Sequence, residues 1–221
     1  MPRPTRYTFA PANATTNDLG TGLTGAGPWV PGVGAILLGG VVPGGLAHQL
    51  VIVASTDIAD TTLTLTGTDA DGKVITDALA IVNTTPVESV KYFKTLTSIS
   101  ASVSLGANSF SVGHVDEFVS PTTPLRWQEG DAPAHFYHDV TGTANYDIEF
   151  TNSDLSDNVT YPAQNNRPWF IVSASLDDET ADGYVEVNSG LTGWRLKVNS
   201  YTDTATIAIN VSQADSNQKF N

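Results

Sequence analysis

The chain contains no cysteine. Disulfides, thiolate metal sites and thiol nucleophiles are therefore excluded, and stability has to come from packing or from assembly. Charge is scarce too: 15% of the 221 residues are Asp, Glu, Lys or Arg, against roughly 25% in an ordinary soluble domain. Basic residues are the scarcest of these. Ten Lys and Arg stand against 23 Asp and Glu, a net charge of −13. This argues against nucleic acid as a partner, because a phosphate backbone is held by clustered cations. No apolar run approaches the roughly 18 residues of a membrane span. The start, "MPRPTRYTFAPANATT", lacks the apolar segment of a signal peptide, so a protein used without signal-dependent export is expected. The regular Glu, Lys, Arg and Leu spacing of long surface helices or coiled coils is also missing.

Thr, Ser, Asn and Gly fill the gap, and they are arranged in short β-rich runs. Residues 1 to 35 are dense in Pro, Gly, Thr and Asn without a sustained period, which predicts an extended arm. Tyr7, Phe9, Trp29 and Val30 are its apolar handles, and two readings of it stand: a loose terminus, or an arm docked on the body or on a neighbouring subunit with Tyr7, Phe9 or Trp29 at the interface.

From residue 36 to 120 the runs "AILLGGVV", "HQLVIVAS", "TTLTLTGT", "KVITDALAIV", "VKYFKTLTSISASVSL" and "SFSVGHV" read as strands. Leu63 and Leu65 fall on one face with Thr62, Thr64 and Thr66 on the other, and Ile99, Ala101, Val103 and Leu105 share a face, the period of two of half-buried strands. "VSPTTPLRWQEGDAP", residues 119 to 133, carries three prolines and no strand pattern, so a domain boundary is placed there. From 121 to 221 strands resume: "AHFYHDVTGT" and "ANYDIEFTN" as a hairpin, with Tyr146, Ile148 and Phe150 on one face, then "RPWFIVSASL", "GYVEVNS", "GWRLKVNSYT" and "TATIAINVSQ". The expected fold is all-β, two small β-sandwich domains of Ig-like or jelly-roll-like type behind an extended N-terminal arm. "LTGT" at 65 to 68 and "VTGT" at 140 to 143 leave open either duplication or convergence on one hairpin chemistry.

Several constellations resemble sites. Asp69, Asp71 and Gly72 open like a calcium loop, but the spacing is D-x-D-G, position 12 is Ala80, and both flanks read as strands. A hairpin turn with Gly at positive φ is the expected meaning of "DADG", and Asp77 lies on its outgoing strand. His135 and His138, with Asp139 beside them, diverge to opposite faces of a strand and do not make a metal pair. His48 and His114 are isolated in sequence. No G-x-S-x-G or comparable nucleophile motif is present, so no enzyme activity is expected. Asp177, Asp178, Glu179 and Asp182 read as a solvated acidic loop, or else as paired carboxylates or a cation site. Trp29, Trp127, Trp169 and Trp194 read as core or interface anchors, with a sugar platform as the competing reading. No cofactor and no metal is expected.

The segment from "HQLVIVASTDIADTTLTLTGTDADGKVITDALAI" through "KYFKTLTSISASVSLGANSFSVGHV" resembles a domain of tailed-bacteriophage structural proteins encoded near the head genes. The later segment "DVTGTANYDIEFTN", "PWF", "DG" and "RLKVNSYTDTATIAINVSQ" is similar to another phage virion module. The resemblance implies a non-enzymatic virion protein assembled in the host cytoplasm. In its first form this is a capsid decoration or cement protein, a homotrimer on the major capsid protein; in its alternatives it is a tail, head-to-tail adaptor or fibre-base component, or a glycan-binding module. Its motifs mark turns and strand cores, so it assigns no site residue.

Overall fold

The computed structural model describes residues 4–32, 40–55, 58, 60–125, 133–155, 162–187, 190–202 and 204–213. Strands account for 57% of them and short helical turns for 5%, so the fold is all-β. The strands, in chain order, are β1 (Thr5–Phe9), β2 (Thr15–Leu23), β3 (Ala47–Ala54), β4 (Thr62–Thr68), β5 (Val74–Ala80), β6 (Val87–Phe93), β7 (Thr95–Ala101), β8 (Phe110–Val119), β9 (Thr123–Pro124), β10 (Ala134–Thr141), β11 (Ala144–Thr151), β12 (Gly183–Val187), β13 (Gly193–Tyr201) and β14 (Thr206–Gln213). They fall into two compact units: an N-terminal unit of Ala12–Ser120 with Ala163–Asn165, and a C-terminal unit of Met1–Pro11, Pro121–Pro162 and Asn166–Asn221.

In the N-terminal unit β2, β8, β3 and β6 pair antiparallel in that order, and β5, β4 and β7 form a second antiparallel sheet. Alternation explains the division of labour. Leu63 and Leu65 of β4, Ile75 and Leu79 of β5 and Ile99 of β7 turn inward and meet Leu50 and Ile52 of β3 and Phe110 and Val112 of β8 in one buried cluster. This is the sandwich arrangement, two sheets each burying one face. Two glycines permit close strand approach. A Cβ on Gly113 would overlap the Thr15 carbonyl where β2 crosses β8, and one on Gly67 would overlap that of Thr95 on β7.

In the C-terminal unit one sheet has the order β1-β14-β10-β12, and β11 pairs with β13, which also holds β9. Its interior is aromatic. Phe136 of β10 lies edge-on to Phe150 of β11 at 5.1 Å and to Trp194 of β13 at 5.5 Å, and Phe136, Tyr146, Ile148, Phe150 and Trp194 are all fully buried. Such edge-to-face contacts add to the stabilisation from area burial alone.

The structure departs from the sequence reading in four places. The runs at 134–141 and 144–151 are not a hairpin: β10 pairs with β12 and β14, and β11 with β13. The turn between them instead carries the chain from one sheet to the other, because Phe136 and Phe150 gain more by facing across the core than by lying side by side. Residues 167–176 are not a strand. Only Phe170 bridges to Phe150, and the run ends in a helical turn at Ala174–Leu176 capped by the Ser173 hydroxyl, which accepts the Ser175 N–H. β7 stops at Ala101, leaving Val103 exposed. Finally, the described part of the N-terminal segment, residues 4–32, is not one arm: β1 belongs to the C-terminal unit and β2 to the N-terminal unit. Most of "AILLGGVV" and all of Trp127 lie outside the described residues.

Candidate functional site

The "DADG" stretch is the β4–β5 turn. Asp69 N–H donates to Lys73 O and Gly72 N–H to Asp69 O, and Gly72 has φ +80°, the conformation the loop needs and glycine takes without cost. The Asp69 carboxylate, 1% exposed, is filled by backbone donors. Oδ1 accepts Asp71 N–H at 3.0 Å and Lys73 N–H at 2.9 Å, and Oδ2 accepts Gln164 N–H at 2.7 Å. The Gln164 side chain donates to Asp71 Oδ1 and to Ser120 O. Both Asp69 oxygens therefore serve the turn and fasten residues 163–165 to it, which leaves them poorly placed for a cation.

Asp77 has a parallel role. Its Oδ2 accepts the N–H groups of Val90 and Lys91 on β6 at 2.8 and 3.1 Å. A carboxylate on β5, outermost in its sheet, thus caps donors of β6 at the irregularity in its pairing with β3, where the regular ladder is interrupted.

The isolated histidines converge. His48 and His114, on the paired strands β3 and β8, are 0% and 1% exposed with ring centroids 4.7 Å apart, edge to face. His48 Nδ1 lies 2.9 Å from Val115 O and His114 Nδ1 lies 2.8 Å from Asp18 Oδ2. The second contact has ion-pair distance without hydrogen-bond alignment, and neither Nε2 atom has a hydrogen-bond partner among the described residues. Burial pushes the His48 pKa from 6.5 down to about 4, against the hydrogen bond to Val115 and with the help of His114, so its ring is neutral near pH 7. His138 is buried and faces Tyr146, Nδ1 to hydroxyl 2.7 Å, while that hydroxyl donates to Ala181 O. Burial lowers the His138 pKa, and burial first, then the nearby Glu179, Asp182 and Asp139, raises that of Tyr146. Among the described residues no three His, Asp or Glu side chains are grouped to hold a metal ion.

The polar face of the β11–β13 pair is an ordered ladder. Arg195 Nε donates to Glu149 Oε2 at 2.7 Å and its guanidinium lies 4.1 Å from the centroid of the Trp169 ring. Lys197 Nζ and Asn199 Nδ2 donate to Asp147 Oδ2, whose Oδ1 accepts Asp178 N–H. Asp182 Oδ1 accepts Val140 N–H. Three of the four loop acids thus hold the loop to the strands, Asp182 by its carboxylate, Asp178 by its N–H and Glu179 by a two-bond backbone bridge to Tyr146.

The remaining face belongs to the sheet β1-β14-β10-β12. Register places Arg6, Asn210, Tyr137 and Tyr184 in one row across it. Tyr137 and Tyr184 are 52% and 57% exposed. His135 stacks on Tyr184, centroids 5.9 Å and planes 17° apart, with Nδ1 2.6 Å from its hydroxyl. Arg6 lies 3.8 Å from Asp139 and His135 3.9 Å from Glu186. His135 and His138 do point to opposite faces. Alternation in "HFYHD" and "GYVEV" marks this face in the sequence, but the pairing that assembles it is not visible there.

Of the residues read as interface handles, Trp29 is 8% exposed, lies edge-on to Phe110 at 5.0 Å and donates its indole N–H to Thr24 O, so it is part of the N-terminal core. Tyr7 meets Trp194 edge-on at 5.2 Å, and Tyr7 and Phe9 are half-buried. Trp194 is fully buried. No family model matches the chain, and neither a curated protein nor a solved structure matches it significantly.

Proposed function

We propose that the chain is a structural protein of a bacteriophage virion, a decoration or cement protein that stabilises the head as a homo-oligomer bound to the major capsid protein. One observation carries this reading: acidic side chains such as Asp69, Asp77, Asp147, Glu149 and Asp182 are bonded into the fold, while Tyr137 and Tyr184 stand exposed side by side on one sheet face, Tyr184 on its edge strand β12. Tyrosine exposed in this way is the residue type that contact surfaces use. The resemblance of residues 48–115 and 139–213 to phage virion modules supplies the biological setting. The physical logic is avidity: many copies, each burying a modest surface, hold a shell against internal pressure when geometry lets them act together.

Particles depleted of the protein and then reconstituted with it test the reading. Depleted heads are expected to rupture at lower temperature or milder osmotic shock, and added protein to restore resistance. Unchanged resistance would refute the cement role. A tail, adaptor or fibre-base position would show as a handful of copies per particle where a head protein shows hundreds. The exposed Tyr137–Tyr184 pair also favours a second reading, a glycan-binding module, since tyrosine rings stack on sugar faces. It is tested by binding to a glycan array and by loss of that binding in Tyr184→Ala.

A further inference from the structure

The sheet β1-β14-β10-β12 ends in β1 on one side and β12 on the other. The two strands have the same length, five residues, and because each neighbouring pair is antiparallel, β1 and β12 run in opposite directions. Laid beside β12 of a second copy, β1 therefore continues the antiparallel ladder. Only one antiparallel register overlaps all five residues of both strands. It sets Thr5 against Val187, Arg6 against Glu186, Tyr7 against Val185, Thr8 against Tyr184 and Phe9 against Gly183.

Side-chain chemistry fits that register on both faces. On the outer face the cation Arg6 meets the anion Glu186. Among the described residues each has a loose, exposed ion-pair contact, at 3.8 Å to Asp139 and 3.9 Å to His135, and exposed pairs of that kind compete weakly. On the inner face the half-buried rings of Tyr7 and Phe9 meet Val185 and Gly183, against whose Cα the His138 ring packs, so that Phe9 would face an aromatic neighbour there. Self-pairing of β12 lacks the cation, and self-pairing of β1 sets Arg6 in a strand with no acid.

We infer that the chain assembles head to tail, β1 of one copy pairing with β12 of the next, so that the sheets join into a closed ring. Strand addition at a sheet edge supplies the main-chain hydrogen bonds, and the Arg6–Glu186 match with the full five-residue overlap sets the register. A contact between two different edges closes into a ring when its rotation permits, and three copies accord with the homotrimer of the proposed function, on which this inference rests.

The absence of cysteine makes a clean test. In the variant Arg6→Cys, Glu186→Cys, the two thiols of one chain are separated by three strand spacings, about 14 Å across the sheet, and by a further two residues along it, too far for a disulfide. Oxidation should therefore link chains, giving covalent dimers and trimers on denaturing gels, while either single variant stays monomeric there. Circular dichroism of each variant confirms the fold, and native mass spectrometry of the unmodified protein gives the ring size. Charge reversal provides a second arm: Arg6→Glu should weaken assembly at least about tenfold, and adding Glu186→Arg should restore it. A native trimer without cross-links in the double variant would overturn the edge assignment and leave the oligomer reading standing. Cross-links through Glu186→Cys alone would overturn it in favour of β12 self-pairing, and a monomer at all concentrations would overturn both.

Discussion

Acid should weaken the N-terminal unit through His48. The ring is fully buried, flanked by His114 and Phe118, with Asp18 beyond His114, and its pKa is lowered from 6.5 to about 4. Above pH 6.5 the ring is neutral in both the folded and unfolded chain, so its full contribution is present. Below that, the unfolded chain takes up the proton first and stability falls, until the folded ring also protonates near pH 4. The loss over this window is about 2.5 pKa units at 1.36 kcal/mol each, roughly 3 kcal/mol. Hydrogen exchange of the β3 amides, measured at pH 7.5 and 4.5 and corrected for intrinsic rates, reports the opening free energy of this unit. The control is His48→Phe, which keeps an aromatic ring but cannot titrate. It should cost about 1 kcal/mol at pH 7.5 by losing the bond to Val115 O and should remove most of the acid sensitivity. A His48 pKa of 6 or above by NMR, or equal acid sensitivity in His48→Phe, would refute the reasoning.

Asp69→Ala removes the acceptor for three N–H groups and should cost about 3 kcal/mol in chemical denaturation, while a chelator should leave the melting temperature of the unmodified protein unchanged. A cost below 1 kcal/mol, or a chelator-induced drop of several degrees, would contradict the assignment of Asp69 to the turn. Asp77→Ala uncovers two donors that water can reach and should cost only about 1 kcal/mol, with exchange accelerated at the Val90 and Lys91 amides and not at Leu50. Deleting residues 1–11 removes β1 and uncovers Trp194, so the C-terminal unit should melt earlier and tryptophan emission should shift to the red. An unchanged melting curve would mean that the β1–β14 pairing is not formed.

Alternation made the strands legible. β4, β8, β13 and β14 lie where the runs "TTLTLTGT", "SFSVGHV", "GWRLKVNSYT" and "TATIAINVSQ" place them, because one side chain in two must leave water wherever a sheet covers a core. Pairing was less legible. A short turn such as "TGT" at 141–143 serves a hairpin and a sheet-to-sheet crossing equally, and what decides between them is where Phe136 and Phe150 find partners, a non-local matter. The N-terminal segment reads as a single arm for the same reason: "TRYTF" has the alternation of an edge strand, but its partner β14 is far away in sequence, Thr5 pairing with Val211 and Phe9 with Ile207. The candidate face was hidden twice over, since it needs β1, β14, β10 and β12 side by side before Arg6, Tyr137 and Tyr184 share a row. By contrast, the divergence of His135 from His138 and the turn at Gly72 are local, and local geometry alone predicts them.

The most direct test of the account is an image of the virion at a resolution that traces chains. The account predicts density for this all-β chain repeated over the outer surface of the head, in closed rings seated on the major capsid protein and with the C-terminal sheets joined edge to edge. Density for the chain confined to the tail or neck, or found nowhere on the particle, would contradict it.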